Sequence, residues 1–308
     1  MNGKGPREGK CRTLPWEAVV VGGGPAGLAA GLHLARAGYR VLLAEKDRLG
    51  GQARLLGRIE NYPGFPYGID GGRLMDRWAR QARRWGLKTL RAEVGTVTRS
   101  HGVFWVRLPG GRKLPARCVV FCPGAAFQEL GLPGERRLRG RGVFHAACAD
   151  APRWRGKTVA VAGGGEAAAY QALALARHAR RVYLFCRADK LKAHRLLLRR
   201  LRLAPRVLKV LGAAVCGLRG RRRLEAVYLV GRQGRLRLDL DALFVLVGKS
   251  PAALPFPAGR APRGFFVAGD AAGEAFRQVA VASGEGIKAA MRCIAFLEDA
   301  RGVAQSRA

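Results

Sequence analysis

VVVGGGPAGLAAGLHLARAGYRVLLAEKD, from Val19 to Asp47, is the stretch whose reading decides the fold. A β-branched run at Val19 to Val21 meets Gly22-x-Gly24-x-x-Gly27, and an alanine-rich segment follows with Pro25 in its first turn. A second apolar run, Val41 to Ala44, ends at Glu45. Strand, glycine turn, helix, strand and terminal acid together make a βαβ unit of dinucleotide-binding type. Gly22 permits the tight turn, Gly24 lets backbone approach a pyrophosphate, and Gly27 brings helix against strand. A diphosphate then meets free N–H groups at the helix N-terminus. Glu45 is placed to bind a ribose hydroxyl.

The pattern recurs. Val159-Ala160-Val161 leads into Gly163-x-Gly165-x-x-Ala168, an alanine-rich helix over Ala169 to Ala176, and a strand at Val182 to Phe185. An offset of 141 carries Gly22, Gly24 and Gly27 onto Gly163, Gly165 and Ala168 without a gap, and carries Glu45 onto Cys186, which Arg187 follows. The spacing predicts an α/β chain with two Rossmann-like, three-layer dinucleotide-binding domains. Loss of the acid removes the group that favours NAD. Arg187 and Lys192 are placed to hold a 2′-phosphate, which favours NADP with NAD as the alternative; Arg187 also reads as one more surface arginine.

Near the C-terminus, Phe266-Val267-Ala268-Gly269-Asp270 is followed by Arg277-Gln278-Val279 and an alanine-rich helix. A strand ending in Gly-Asp presents a carboxylate to sugar-like hydroxyls, and the segment is placed to complete the first domain after the second. Between the repeats, Gly50-Gly51-Gln52 and Ile59 to Pro66 are too rich in Gly and Pro for regular structure and suit the wall of a cofactor cleft. Residues 1–13, polar and basic, read as a disordered leader.

At 308 residues and 49% hydrophobic content the chain is long enough for two buried cores. It has no run of eighteen apolar residues free of Gly and charge, and no signal-peptide architecture, which predicts a cytoplasmic protein with no membrane span. Seven cysteines in neither CxxC nor metal-ligand spacing read as buried thiols, with no metal. Charge is the outlier, 56 Lys and Arg against 21 Asp and Glu for a net +35. That field attracts acidic proteins, nonspecific nucleic acid or anionic surfaces, or it is a solvated arginine coat. In a helix predicted over Gly72 to Trp85, Leu74, Trp78, Ala82 and Trp85 form the buried stripe, while Arg73, Arg77, Arg80 and Arg84 form the exposed one. Basic clusters recur at Lys190 to Arg202 and Arg219 to Arg223.

The motifs GGGPAG, GGQ, IENYPGFP, LPGE at Leu132 to Glu135, GGG at Gly163, and VAGD with RQV resemble, in order, the low-molecular-weight thioredoxin reductase family from Pro15 to Phe296. The resemblance implies a homodimer, with FAD in residues 14–122 and 243–308 and an NAD(P) domain, 123–242, inserted between them. It implies Gly22, Gly24, Pro25, Ala26, Gly27 and Glu45 on the adenosine and pyrophosphate half of FAD, and Gln52 and Asn61 nearer the flavin. Asp270 falls on the ribityl chain, Gln278 and Val279 fall at the isoalloxazine edge, and Gly51, Gly124, Gly269 and Arg277 complete the set. For NAD(P) it implies Gly163, Gly165, Glu166, Ala167, Arg187 and Lys192.

One departure bears on function. Where the family carries Cys-Ala-Thr-Cys-Asp, this chain has Ala146-Ala147-Cys148-Ala149-Asp150, with alanine at both redox positions. Disulfide exchange needs an attacking thiolate and a resolving thiol. Cys148 takes the Thr position, and Asp150 matches the family's proton donor; these are the candidate catalytic residues. The family's HRRxxxR reads Cys186-Arg187-Ala188-Asp189-Lys190-Leu191-Lys192, Glu166 replaces a shorter residue, and Pro251 to Gly264 is a shortened connection. The leading expectation is an NAD(P)H oxidoreductase passing electrons to a non-disulfide acceptor, an acidic carrier such as ferredoxin or flavodoxin. The alternatives are a non-catalytic flavin-binding sensor or interaction protein, and a disulfide reductase acting through Cys148.

Overall fold

The computed structural model describes residues 14–146, 150–232, 234–257, 260–273 and 275–305. The expected leader at 1–13 and the candidate Cys148 lie outside these. The chain runs β1 (Trp16–Val21), α1 (Pro25–Arg36), β2 (Val41–Glu45), a small hairpin β3 (Arg58–Ile59) and β4 (Ile69–Asp70), and α2 (Gly71–Arg84). Next come β5 (Lys88–Arg91), β6 (Thr96–Ser100), β7 (Val103–Arg107), β8 (Lys113–Phe121), β9 (Ala125–Phe127), α3 (Glu135–Leu138) and β10 (Val143–Phe144). The second repeat supplies β11 (Thr158–Ala162), α4 (Glu166–Ala176), β12 (Arg181–Cys186), α5 (Arg195–Arg202) and β13 (Val207–Leu211). The remainder is β14 (Ala213–Arg219), β15 (Ala226–Gly231), β16 (Gly234–Asp239), β17 (Ala242–Val245), β18 (Lys249–Pro251), β19 (Phe265–Val267) and α6 (Val279–Gln305).

Two compact units result. Among the described residues, the first comprises 14–49, 79–123 and the part from 253 to 305. Its sheet runs β5-β2-β1-β8-β7-β6, with β19 also on β8. β8 pairs with β1 along one edge and, because it is long, serves two partners along the other. Its first half pairs antiparallel with β7, and its last three residues pair parallel with β19. Alternation then sorts the faces: Val19, Val21, Val119 and Phe121 pack with Val97, Phe104 and Val106 of the β6–β7 hairpin and with Phe265.

The second unit, 50–78 with 124–252, repeats the plan. Its parallel sheet runs β10-β17-β11-β12-β13. Val159, Val161 and Phe244 pack with the apolar residues of α4 and α5, while Ala160, Phe185, Leu243 and Val245 pack with Val227 and Leu229 of the β14–β16 meander. The offset of 141 holds in the register itself: Ala18 pairs Val41 and Val159 pairs Val182, through to Val21 with Ala44 and Ala162 with Phe185.

Three expectations are corrected. The boundary expected at 242/243 moves to 252/253, because β17 is a central strand of the second sheet, between β10 and β11. Residues 50–78, expected in the first domain, belong to the second unit, where Arg200 ion-pairs with Glu60 at 2.9 Å and Tyr170 donates to the Arg58 carbonyl. Trp85 is not in the buried stripe with Leu74 and Ala82; it is 49% exposed, with the Arg36 guanidinium 5.9 Å from its ring centre, so a cation–π contact replaces burial.

The cysteines also differ from the expected set of buried thiols. Among the described residues, Cys118 on β8 and Cys293 on α6 are joined as a disulfide across 175 residues, Cys216 is exposed, and Cys122 and Cys186 are buried thiols. Cross-linking so long a loop restricts the unfolded chain. Reduction should therefore lower the stability measured by urea titration by about 2–5 kcal/mol. Cys293→Ser should show the reduced value with or without reductant; a variant that still responds to reductant would remove this bond from the account.

Candidate functional site

The two glycine turns are held by one steric rule. Gly22 has φ +95°, and a Cβ there would stand 2.2 Å from the Cys122 carbonyl oxygen. Gly163 has φ +154°, and its Cβ would stand 2.4 Å from the Leu246 carbonyl oxygen. Both conformations favour glycine, and both close approaches require it. The hydrogen bonds repeat too, Gly22 N to Ala44 O and Gly163 N to Phe185 O, each 2.9 Å. Gly24 and Gly165, by contrast, face open space, with nothing within 4 Å of a built Cβ. Each is the N-cap of its helix without a side-chain cap, so the first-turn N–H groups are left for a ligand.

In the first unit Pro25 and Ala26 open α1, whose first turn carries no acid. Glu45 closes the turn: its carboxylate accepts from Gly23 N at 2.6 Å and from Asp47 N at 2.9 Å. Two backbone donors orient it and leave lone pairs for a further donor. The C-terminal segment meets the same turn. A Cβ on Gly269 would stand 2.8 Å from Ala26 Cβ, and one on Gly286 2.1 Å from Ala26 O. Asp270, next to Gly269, opens the turn Gly269–Ala272, so the structure brings 22–27, Glu45 and 269–270 to one end of this sheet. Arg277 and Gln278 are exposed just ahead of α6, which Val279 begins.

The remaining expected flavin residues, Gly51, Gln52, Asn61 and Gly124, fall in the second unit. There the Gln52 amide donates to the Ala125 carbonyl, and its Oε1 is buried with no hydrogen-bond partner. Buried acceptors are normally paired, so this atom is suited to a donor on a bound group. Gly124, at φ +78°, accepts from Ala252 N at 3.1 Å, and Asn61 is exposed.

At the second turn Cys186 stands where Glu45 stands in the first. Its Sγ would be 2.4 Å from a Cβ on Gly164 and lies 3.7 Å from the Lys190 carbonyl. Arg187 and Lys192 are exposed on a loop fastened at several points: Lys192 N donates to Gly164 O at 2.7 Å, Gly212 N to Ala188 O at 3.2 Å, and Asp189 ion-pairs with Arg232 at 2.6 Å. Glu166 is exposed in the first turn of α4 beside Ala167, where its charge opposes an anion. Asp150 is exposed at the start of the turn Ala151–Trp154. Burial pushes the Cys122 thiol up to about 12, which makes it a poor nucleophile.

The offset marks the exchange of Glu45 for Cys186, but sequence reading missed that these side chains meet Gly23 N and the Cβ position of Gly164, and missed Cys118–Cys293, which leaves no local signal. Among the described residues no group of three or more His, Cys, Asp or Glu is arranged to hold a metal, and no helix is long and apolar enough to cross a membrane.

The chain matches the family profile described as pyridine nucleotide-disulphide oxidoreductase over residues 16–286. It is 31% identical over 300 residues to the thioredoxin reductase of Treponema pallidum, covering 92% of this chain and 97% of the relative. It is 32% identical over 299 residues to that of Streptomyces coelicolor, covering 91% and 93%. Among solved structures, the thioredoxin reductase of Lactococcus lactis superposes with a TM-score of 0.87 at 25% identity, covering 92% of this chain and 99% of that one.

The two kinds of glycine separate in a stability measurement. Gly22→Ala should cost about 2–3 kcal/mol or more in urea unfolding, from the carbonyl clash and the left-handed φ. Gly24→Ala should stay within about 1 kcal/mol of the native chain. Equal losses would mean that both turns are held by something other than the crossing at Cys122.

Proposed function

Since the chain belongs to the pyridine nucleotide-disulphide oxidoreductase family, with thioredoxin reductases among its homologues, we propose that it is an FAD-dependent NAD(P)H oxidoreductase whose electrons leave to an acceptor other than a protein disulfide. The observation that carries this reading is alanine at 146 and 149, in a chain with no CxxC anywhere. Thioredoxin reductases bind FAD and NADPH, and the residues here fit both groups: two open glycine positions at uncapped helix N-termini and a buried Gln52 acceptor without a partner. FAD when bound supplies hydride acceptance from reduced nicotinamide and onward release of electrons singly or in pairs.

The chain's own residues bind and orient. In the first unit the α1 N-terminus and Gly24 receive the pyrophosphate, and Glu45 and Asp270 accept from sugar hydroxyls. Gly163, Gly165 and the α4 N-terminus receive the second dinucleotide. With Cys186 in place of an acid, selection falls to Arg187 and Lys192, which add charge for a 2′-phosphate; Glu166 weakens that end of the site. The net charge of +35 suits an acidic electron carrier of ferredoxin or flavodoxin kind. A homodimer in the cytoplasm belongs to the same proposal.

A second reading, disulfide reduction through Cys148, is favoured by the names of the relatives. Turnover separates the two. NADPH should reduce the flavin anaerobically, while steady-state NADPH oxidation with thioredoxin and a thiol reagent stays at background and an acidic carrier supports it. Thioredoxin turnover that vanishes in Cys148→Ala would replace the first reading with the second.

Arg187→Ala should weaken NADPH relative to NADH by about tenfold, or about 1.4 kcal/mol, read from flavin-reduction rates against nucleotide concentration. An unchanged ratio would remove Arg187 from the 2′-phosphate site.

A further inference from the structure

Forty-five of the 56 basic residues are arginine, and eight of these sit in two short segments of the second unit, Arg136-Arg137-Leu138-Arg139-Gly140-Arg141 and Arg219-Gly220-Arg221-Arg222-Arg223. The first is α3 and its exit; the second is the turn joining β14 to β15. All eight side chains are exposed. The fold brings the segments together through backbone rather than opposite charge. The Arg137 guanidinium donates to the carbonyls of Arg221 and, at 3.0 Å, of Gly220, and Leu224 N donates to Arg141 O at 2.8 Å. The turn is sterically fixed. Gly220 has φ +142°, a Cβ there would stand 1.9 Å from Arg223 O, and Glu225 N closes the loop onto Arg219 O at 2.9 Å.

Counter-charge is scarce. Glu129 pairs with Arg136 at 3.1 Å and lies 3.9 Å from Arg139. Glu135, 3% exposed, spends its carboxylate on the N–H groups of Leu130, Gly131 and Leu132. Among the described residues, Arg141, Arg219, Arg221, Arg222 and Arg223 have no ion-pair partner. Holding like charges together costs Coulomb energy that a dense anion relieves. The guanidinium fork matches phosphate oxygens in pairs.

We propose that this face of the second unit, built from the α3 exit and the β14–β15 turn, binds the phosphodiester backbone of nucleic acid without reading its sequence. Spaced phosphates match a row of guanidiniums. Neither segment carries an aromatic residue to stack on bases, which excludes recognition of single-stranded bases. None of the large exposed apolar residues lies in either segment, so nothing here inserts into a membrane. The proposal is independent of the electron acceptor.

The test uses the full chain with its flavin, titrated into fluorescein-labelled duplex DNA and duplex RNA of about 30 base pairs in salt from about 0.05 to about 0.2 M. Replacing Arg219, Arg221, Arg222 and Arg223 by Gln should weaken binding at least about tenfold and flatten the log–log salt slope by roughly 0.9 for each phosphate no longer neutralised. Replacing Arg136, Arg139 and Arg141 by Gln should act in the same direction, and it carries the test if the turn variant fails to fold, as judged by melting and flavin absorbance. A control with Arg83, Arg91, Arg107 and Arg112 of the first unit replaced by Gln should change affinity less than about threefold. Equal weakening in control and turn variants would overturn the proposal. So would displacement by polyglutamate of equal charge as readily as by unlabelled duplex, or binding confined to anionic vesicles.

Discussion

A glycine turn crossing over the first carbonyl beyond the neighbouring strand is the constraint on which both units depend. Gly22 passes over Cys122 O and Gly163 over Leu246 O at distances that no side chain permits. That crossing puts α1 and α4 directly against the ends of their sheets. The free N–H groups of each helix therefore point into the space beyond the strands, where anionic ligands bind in open α/β sheets. Gly27 shares the burden in the first unit, where a Cβ would stand 1.8 Å from Gly22 O. Ala168, 1% exposed, does so in the second. In the proposed sites the phosphate positions are thus set by backbone packing, and the choice of sugar and phosphate is left to side chains.

Much of this was legible in the sequence because a gapless offset of 141 cannot hold across strand, turn and helix unless the two segments fold alike. The register pairs Ala18–Val41 and Val159–Val182 carry that repeat into hydrogen bonding. The unit boundary was not legible, since Ala242-Leu-Phe-Val is an apolar run that fits the centre of either sheet and only pairing with β10 and β11 decides it. Nor did local pattern reveal residues 50–78 as part of the second unit, because an ion pair such as Arg200–Glu60 spans 140 positions. Helical periodicity put Trp85 inside; Arg36 supplies the contact that periodicity assigned to the core. Cys118 and Cys293 are each a small apolar residue in an apolar segment, and nothing in either segment marks a bond across 175 residues.

The two turns, alike in backbone, differ in chemistry where Glu45 aligns with Cys186 and where Pro25 aligns with Glu166. Glu45 ties its carboxylate to Gly23 N and Asp47 N and still has lone pairs for a hydroxyl. Cys186 puts an uncharged thiol under Gly164, and the loop beyond it is pinned by Lys192 N to Gly164 O. On the proposed function, selection at the second turn is left to the exposed Arg187 and Lys192 on a fastened loop. Such groups are screened by salt and add modest energy each, so the proposed discrimination between NADPH and NADH has a narrower margin than the proposed recognition of a ribose by Glu45.

The disposition of the cysteines bears on where electrons can go. Cys118 and Cys293 are bonded to each other, and the Cys122 thiol is pushed up to about 12 by burial. Cys186 is buried beneath its glycine turn, and Cys216 is exposed on β14 and is not disulfide-bonded. Reducing a disulfide consumes two electrons and requires a second thiol to release the mixed disulfide that the first one forms. Cys148, flanked by Ala147 and Ala149, has no resolving partner in sequence. Even if it attacked a disulfide, release would fall to a thiol carried by the substrate. An acceptor that takes electrons directly from the flavin needs no such partner, and that difference in stoichiometry is the physical ground for placing the non-disulfide reading first.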